Sequence, residues 1–176
     1  MSYLESKRLY LEKIEFGDEG YLYDLDSNPE VTKYVGGTHY TIEQYALMVE
    51  RMMNLGWIQN NCGFYKAFLK ESDEFIGWFH LRPEDSEPNN YDLLELGYRL
   101  KEEFWNNGYA SEMSNVLIEK AFKINKCNIV SAITLKENHA SSRVMVKCGM
   151  EYSNSLIYHG FDCVRYTISK EMFLNA

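Results

Sequence analysis

Apolar residues recur along this chain at two spacings, and the spacing switches at well-marked points. Arg8 to Ile14, "RLYLEKI", alternates apolar and polar residues and predicts a first strand. Gly17 to Val35, "GDEGYLYDLDSNPEVTKYV", predicts two short helical pieces divided by Pro29, with Asp18 as N-cap of the first. Thr41 to Gly56, "TIEQYALMVERMMNLG", has helical periodicity. Thr41 and Gln44 form a capping box there, and Gly56 is a stop. Two strand-like runs follow, Phe64 to Leu69 and Phe75 to Leu81, joined by the polar turn "KESDE". Asp92 to Leu100 predicts another strand, Tyr109 to Lys123 a long helix, and Asn128 to Leu135 a short buried strand. Ala140 to Gly149 predicts a helix closed by its glycine, and the C-terminal stretch a hairpin turning near His159 to Asp162. Glu84 to Asp92, "EDSEPNNYD", has the composition of a mobile loop. This order of elements predicts an α+β domain with one mixed sheet, and no internal repeat or linker interrupts it.

Composition narrows the picture. With 176 residues, 45% of them hydrophobic, the chain is long enough for one domain with a sizeable core, and residues 1–176 are expected to form it. A net charge of -8 argues against nucleic acid or an anionic membrane as the main partner and favours a neutral or cationic one. The cysteines (Cys62, Cys127, Cys148, Cys163) show no CxxC spacing, and His39, His80, His139 and His159 are scattered, so no metal site is expected. Charges interrupt every apolar run of "MSYLESKRLYLEKI", which reads as neither a signal peptide nor a membrane span. The expectation is a cytoplasmic protein with reduced thiols.

Chemistry concentrates in two stretches. In "RLKEEFWNNGYASEMSNVLIEKAF" a strand ends in the turn Trp105 to Ser111 and opens a helix. The first backbone N–H groups of a helix lack internal partners, and with the positive end of the dipole they attract phosphate. Gly108 and Ala110 keep that turn slim, and Asn106 and Asn107 tolerate turn geometry. The same residues also suit an ordinary strand-to-helix connection, and no Lys follows the glycine as a triphosphate site would require. In "KENHASSRVMVKCGMEY", Asn138 can cap the helix or bind ligand amides. Ser141 can cap it or donate a proton. Glu95, in the apolar strand "LLELGY", either faces solvent or serves a site.

Together, "ELGYRLKEEFWNNGYASE" and "NHASSRVMVKCGM" resemble the GNAT superfamily of acetyl-CoA-dependent N-acetyltransferases. With "RLYLEKI" and "NPEVTKYV", they are most similar to the branch that acetylates N-terminal amines of ribosomal proteins. The resemblance covers nearly the whole chain. It implies a GNAT-like fold, with a mostly antiparallel central sheet of about seven strands flanked by about four helices. It also implies acetyl-CoA as cosubstrate, no metal, and an amine-bearing small molecule or peptide as acceptor. A homodimer is compatible with it.

By the same resemblance, the backbone of Tyr98, Arg99 and Leu100 runs along the pantetheine arm. Trp105, Asn106, Asn107, Gly108, Tyr109, Ala110 and Ser111 wrap the pyrophosphate, and Asn138 lies beside the pantetheine or the strand splay. Trp105 stands where the family loop usually has Arg or Gln, and Asn106 where Gly is common. Many relatives carry a Tyr seven residues after the Asn as acid for the thiolate; here it is Met145, which leaves Ser141 as the candidate. Glu95 is the candidate base, and a backbone N–H near Leu96 to Tyr98 would polarise the thioester carbonyl. Acceptor contacts are expected from Tyr34 to Met53 and from the hairpin around Tyr158 to Asp162. Met145 keeps open a second reading, a catalytically weak CoA-binding regulatory protein.

Overall fold

In a computed structural model of the chain, which describes residues 4–36, 40–54 and 61–175, one sheet carries helices on both faces. The strands are β1 (Leu4–Glu5), β2 (Leu9–Lys13), β3 (Gly63–Leu69), β4 (Phe75–Pro83), β5 (Leu93–Leu100), β6 (Ile129–Leu135), β7 (Glu151–Tyr158) and β8 (Phe161–Ser169). Their order across the sheet is β1-β2-β3-β4-β5-β6-β8-β7, and only the β5–β6 pair is parallel. The helices are α1 (Glu19–Asp26), α2 (Pro29–Thr32), α3 (Ile42–Asn54), α4 (Tyr109–Lys120), α5 (His139–Lys147) and α6 (Lys170–Leu174). Beyond the elements expected from the pattern, the structure adds the two-residue edge strand β1 and the C-terminal turn α6. Both are too short for periodicity to register.

Alternation along β4 and β5 sorts their side chains between two cores. Phe79 and Leu81 of β4 and Leu94, Leu96 and Leu100 of β5 pack with Met113, Leu117 and Ile118 of α4. On the opposite face, Tyr45 and Val49 of α3 pack with Leu22 of α1 and Ile14, and Trp78 borders this cluster. Burying aliphatic and aromatic side chains on both faces contributes ~1.5–3 kcal/mol per residue and fixes the register.

Most predicted terminators hold. Thr41 and Gln44 make the reciprocal capping box, with Thr41 N–H donating to Gln44 Oε1 at 2.8 Å and Gln44 N–H donating to Thr41 Oγ1 at 3.4 Å. The final hairpin turns at His159–Gly160. Gly56 lies outside the described residues. Asp18 is a correction: it precedes α1 but makes no side-chain cap. Its carboxylate instead accepts from Glu15 N–H at 2.7 Å and from Lys66 Nζ at 3.0 Å. A stronger, charge-assisted partner on β3 outcompetes the local cap. The loop Glu84 to Asp92 is pinned rather than loose. Glu84 is 3% exposed and accepts from Ser131 Oγ at 2.5 Å and from Arg165 at 2.9 Å.

Candidate active site

The site begins where the sheet opens. β5 and β6 pair through Leu93–Ile129, Leu94–Val130 and Glu95–Ser131, and then the pairing stops. Both strands continue, β5 held by β4 as far as Leu100 and β6 by β8 as far as Leu135. A V-shaped gap therefore opens beside Leu96 to Leu100. Gap-facing peptide groups of β5 can pair there with an extended ligand. A cleft of about 560 Å³ follows this gap.

At one end of the cleft lies the N-terminus of α4. Trp105 Nε1 donates to Leu100 O at 2.8 Å, folding the loop back on the strand that precedes it. Asn106 has φ +61°, a left-handed conformation that Asn tolerates, so the departure from glycine fits the loop. Gly108 has φ +80°, and an added Cβ there would meet only Arg8 Nη2 at 3.6 Å. Conformation, not crowding, demands glycine at this position. Asn107 Nδ2 donates to Trp105 O at 3.0 Å, and Ser111 Oγ to Gly108 O at 3.0 Å. Trp105, Asn106, Gly108, Tyr109, Ala110 and Ser111 line the cleft, as do Tyr98, Arg99, Leu100 and Asn138; Asn107 does not.

Sequence reasoning missed the brace behind this loop. Arg8 donates to Asn107 O at 3.0 Å, pairs with Glu112 at 2.7 Å, and lies 4.3 Å from the Tyr109 ring centre. Nothing local connects residues about a hundred positions apart. Arg143 and Lys147 on α5 also line the cleft and bring positive charge to it. Their four-residue spacing on a helix could have been read as one basic face.

The α5 wall carries the second motif. Asn138 Oδ1 accepts from Ser141 N–H at 3.1 Å, so Asn138 caps its helix. Ser141 Oγ lies 3.1 Å from the Tyr98 hydroxyl, a hydrogen bond from strand to helix. Burial pushes the Tyr98 phenol up to about 12, so it stays protonated. Met145 is buried in the core and takes no part in this contact.

The opposite wall is built from charged side chains. Antiparallel pairing places His80 across from Gly97, Arg82 across from Glu95, and Trp78 across from Arg99, all on the α1–α3 face. Glu95 is 6% exposed and lines the cleft, so it faces the site rather than solvent. Its carboxylate lies 3.4 Å from His80 Nε2 and 3.3 Å from Arg82 Nη2. Burial alone would push its pKa up, but contact with His80 and with Arg82 outweighs this and holds it below the usual carboxylate value. Arg99 lends only its backbone to the gap. Its guanidinium pairs with Asp26 on α1, which also accepts from the Tyr45 hydroxyl at 2.9 Å.

Of the segments expected to meet the acceptor, only part lines the cleft. Val31, Tyr34 and Val35 line the cleft, while Tyr45 is 1% exposed core. The Tyr158 hydroxyl donates to Asp85 at 2.5 Å, and Asp85 pairs with Arg82. The hairpin thus supports the charged wall from outside.

A sheet splayed in one cleft with a helix N-terminus can take an extended ligand that carries a phosphate. The model of the acetyltransferase (GNAT) domain matches residues 8–151, and the chain belongs to that family. It is an acetyltransferase that uses acetyl-CoA as cosubstrate. The chain is 32% identical over 145 residues to the uncharacterized N-acetyltransferase p20 of Bacillus licheniformis, covering 82% of this chain and 80% of the relative. It is 29% identical over 185 residues to the FsC-acetyl coenzyme A-N(2)-transacetylase of Aspergillus fumigatus, covering 97% and 77%. In structure it resembles RimL, a ribosomal-protein alpha-N-acetyltransferase solved with coenzyme A, with a TM-score of 0.79, 16% identity, and coverage of 96% and 98%. Among the described residues, no helix is long and apolar enough to cross a membrane.

Proposed function

We propose that this domain carries an acetyl group from acetyl-CoA to a primary amine by direct attack, with both substrates bound at once. The observation that carries this reading is the end of β5–β6 pairing at Glu95 and Ser131, which opens the sheet into the same cleft as the α4 N-terminus. In this reading the gap-side backbone of Tyr98 to Leu100 pairs with the pantetheine amides. The N–H groups of Gly108 to Ser111, backed by the α4 dipole, hold the pyrophosphate. Asn138 fixes the start of α5. Holding amine and thioester together supplies most of the acceleration. A backbone N–H from Leu96 to Tyr98 stabilises the oxyanion, and Ser141, hydrogen-bonded to Tyr98, protonates the departing thiolate. The buried Glu95 wall manages the proton of the incoming ammonium.

An N(2)-transacetylase among the relatives and an alpha-N-protein acetyltransferase among the structural neighbours support an amine acceptor. An amine acceptor, small or at a peptide terminus, has apolar and acidic surface to meet in this cleft, since Val31, Tyr34, Trp78 and Glu95 line it. Met145 favours a second reading, a CoA-binding protein with little turnover. Thermal shift with acetyl-CoA, followed by thiol release across a panel of amino-acid amides, peptides, polyamines and aminoglycosides, separates the two. Stabilisation by acetyl-CoA without thiol release from any amine would establish the second reading.

A further inference from the structure

We propose that His80 takes the proton from the acceptor ammonium, with Glu95 orienting its ring rather than acting as the base itself. The proposal rests on the acetyl-transfer reading above.

His80 stands on the wall of the cleft at the mouth of the splay. Its imidazole lies flat over Gly97, close enough that a Cβ on Gly97 would sit 2.4 Å from Cε1. Gly97 is two residues past the last β5–β6 pair, within the stretch whose backbone would face the thioester. The imidazole therefore occupies the α1–α3 side of the strand where the reaction is proposed. Tyr98 and Ser141 occupy the other side.

His80 is 6% exposed; its Nε2 reaches the Glu95 carboxylate at 3.4 Å, and among the described residues its Nδ1 makes no hydrogen bond. A buried ring nitrogen left without a partner is costly to keep in a structure unless a ligand or a proton uses it. The Glu95 carboxylate, 3.4 Å from Nε2, favours the tautomer with hydrogen on Nε2 and leaves Nδ1 as the unprotonated, unpartnered nitrogen. This is the division of labour in which a buried carboxylate orients a histidine base.

Glu95 is poorly suited to be the direct acceptor, because Arg82 also contacts its carboxylate at 3.3 Å. The groups facing His80 are Glu95 on β5, Arg82 on its own strand and Asp85 in the following loop. Aromatic rings of Phe64 on β3 and Trp78 on β4 flank the imidazole, which still lines the cleft. Burial outweighs the pull of Glu95 and lowers the pKa of the ring, so it enters the reaction neutral.

Each proton then has a place. The ammonium gives one to Nδ1, and the free amine forms a bond to the thioester carbonyl carbon. The C–S bond breaks, and the thiolate takes the second amine proton by way of Ser141. The imidazolium returns its proton to water after product leaves. The net products are the amide, free thiol and one proton.

Full-length wild type, His80→Gln and Glu95→Gln are compared by thiol release across pH, using the amines the wild type accepts. Alaninamide and spermidine are tried first, and acetyl-CoA affinity is measured by calorimetry. In His80→Gln, kcat/KM should fall about 100-fold near neutral pH. Acetyl-CoA affinity should hold, and the rate should simply follow the free-amine fraction upward with pH. The defect should be smaller for a peptide-like α-amine, with a pKa of about 7.7–8.0, than for an alkylamine near about 10.4. Glu95→Gln should keep an acid limb, moved to lower pH, because the amide removes the anion that stabilises the imidazolium. A preserved limb in His80→Gln, or its loss in Glu95→Gln alone, overturns the proposal and makes the carboxylate the base. Failure of the wild type to release thiol with every amine of the panel overturns the acetyl-transfer reading as well.

Discussion

The two walls of the cleft are made of different materials. The wall formed by the Trp105–Ser111 turn, the start of α4 and the start of α5 uses main-chain groups and short polar caps. The wall formed by β4 and β5 on the α1–α3 face uses buried charged and aromatic side chains: Trp78, His80, Arg82 and Glu95. A main-chain site suits a ligand that is always the same. A wall of side chains can differ between proteins that share the same backbone, and under the proposed function acceptor choice would be made there.

Substitutions can break this contrast, and their effects are ranked by the material they damage. The largest is expected from Gly108→Trp, which places an indole at a position with φ +80° in front of the α4 N-terminus. Calorimetry should show no acetyl-CoA binding; unchanged affinity would remove the pyrophosphate from this turn. Gly97→Ala attacks the other wall, because the new methyl group displaces the His80 ring. Turnover should fall about 100-fold, as a misplacement near 1 Å commonly costs, while acetyl-CoA affinity holds. Equal losses in both quantities would show the walls to be one unit.

Ser141→Ala should lower kcat by about 10-fold or more and acetyl-CoA affinity much less. Equal turnover in the two proteins would leave Tyr98 or water to protonate the thiolate. The smallest effect is expected from Lys147→Ala on the exposed face of α5. An exposed charge contributes about 0.2–1 kcal/mol, so KM for acetyl-CoA should rise a few-fold and the difference should vanish at high salt. A salt-independent loss would mean that Lys147 acts through a direct, desolvated contact.

The main-chain wall was legible in the sequence because its physics is local. A capping Asn three residues before its partner N–H, or an Asn-Asn-Gly turn before a helix, is written in consecutive letters. The charged wall was legible only in part. The pattern left Glu95 open between solvent and site, and its partners His80 and Arg82 depend on the β4–β5 register, which no short window contains. The same distance hid the Tyr98–Ser141 hydrogen bond and the Arg8–Glu112 brace. Asp18 misled for a related reason: Lys66 on β3 takes the carboxylate that local rules assign to a helix cap. The loop after β4 looked mobile because its composition is polar, yet Ser131 and Arg165, from distant strands, hold Glu84 in place.

The end of β5–β6 pairing after three residue pairs has a mechanical side. Beyond that point, the strands β1 to β5 and the trio β6, β8 and β7 share no ladder. A ligand pairing with the edge of β5 would act as a splint across this seam. Amide hydrogens along Leu96 to Leu100 should then exchange more slowly in the loaded protein than in the free one, with the slowing concentrated on groups that face the seam. The substrate would serve for part of each catalytic cycle as a structural member of the sheet, and product release would be the moment at which the sheet comes apart again.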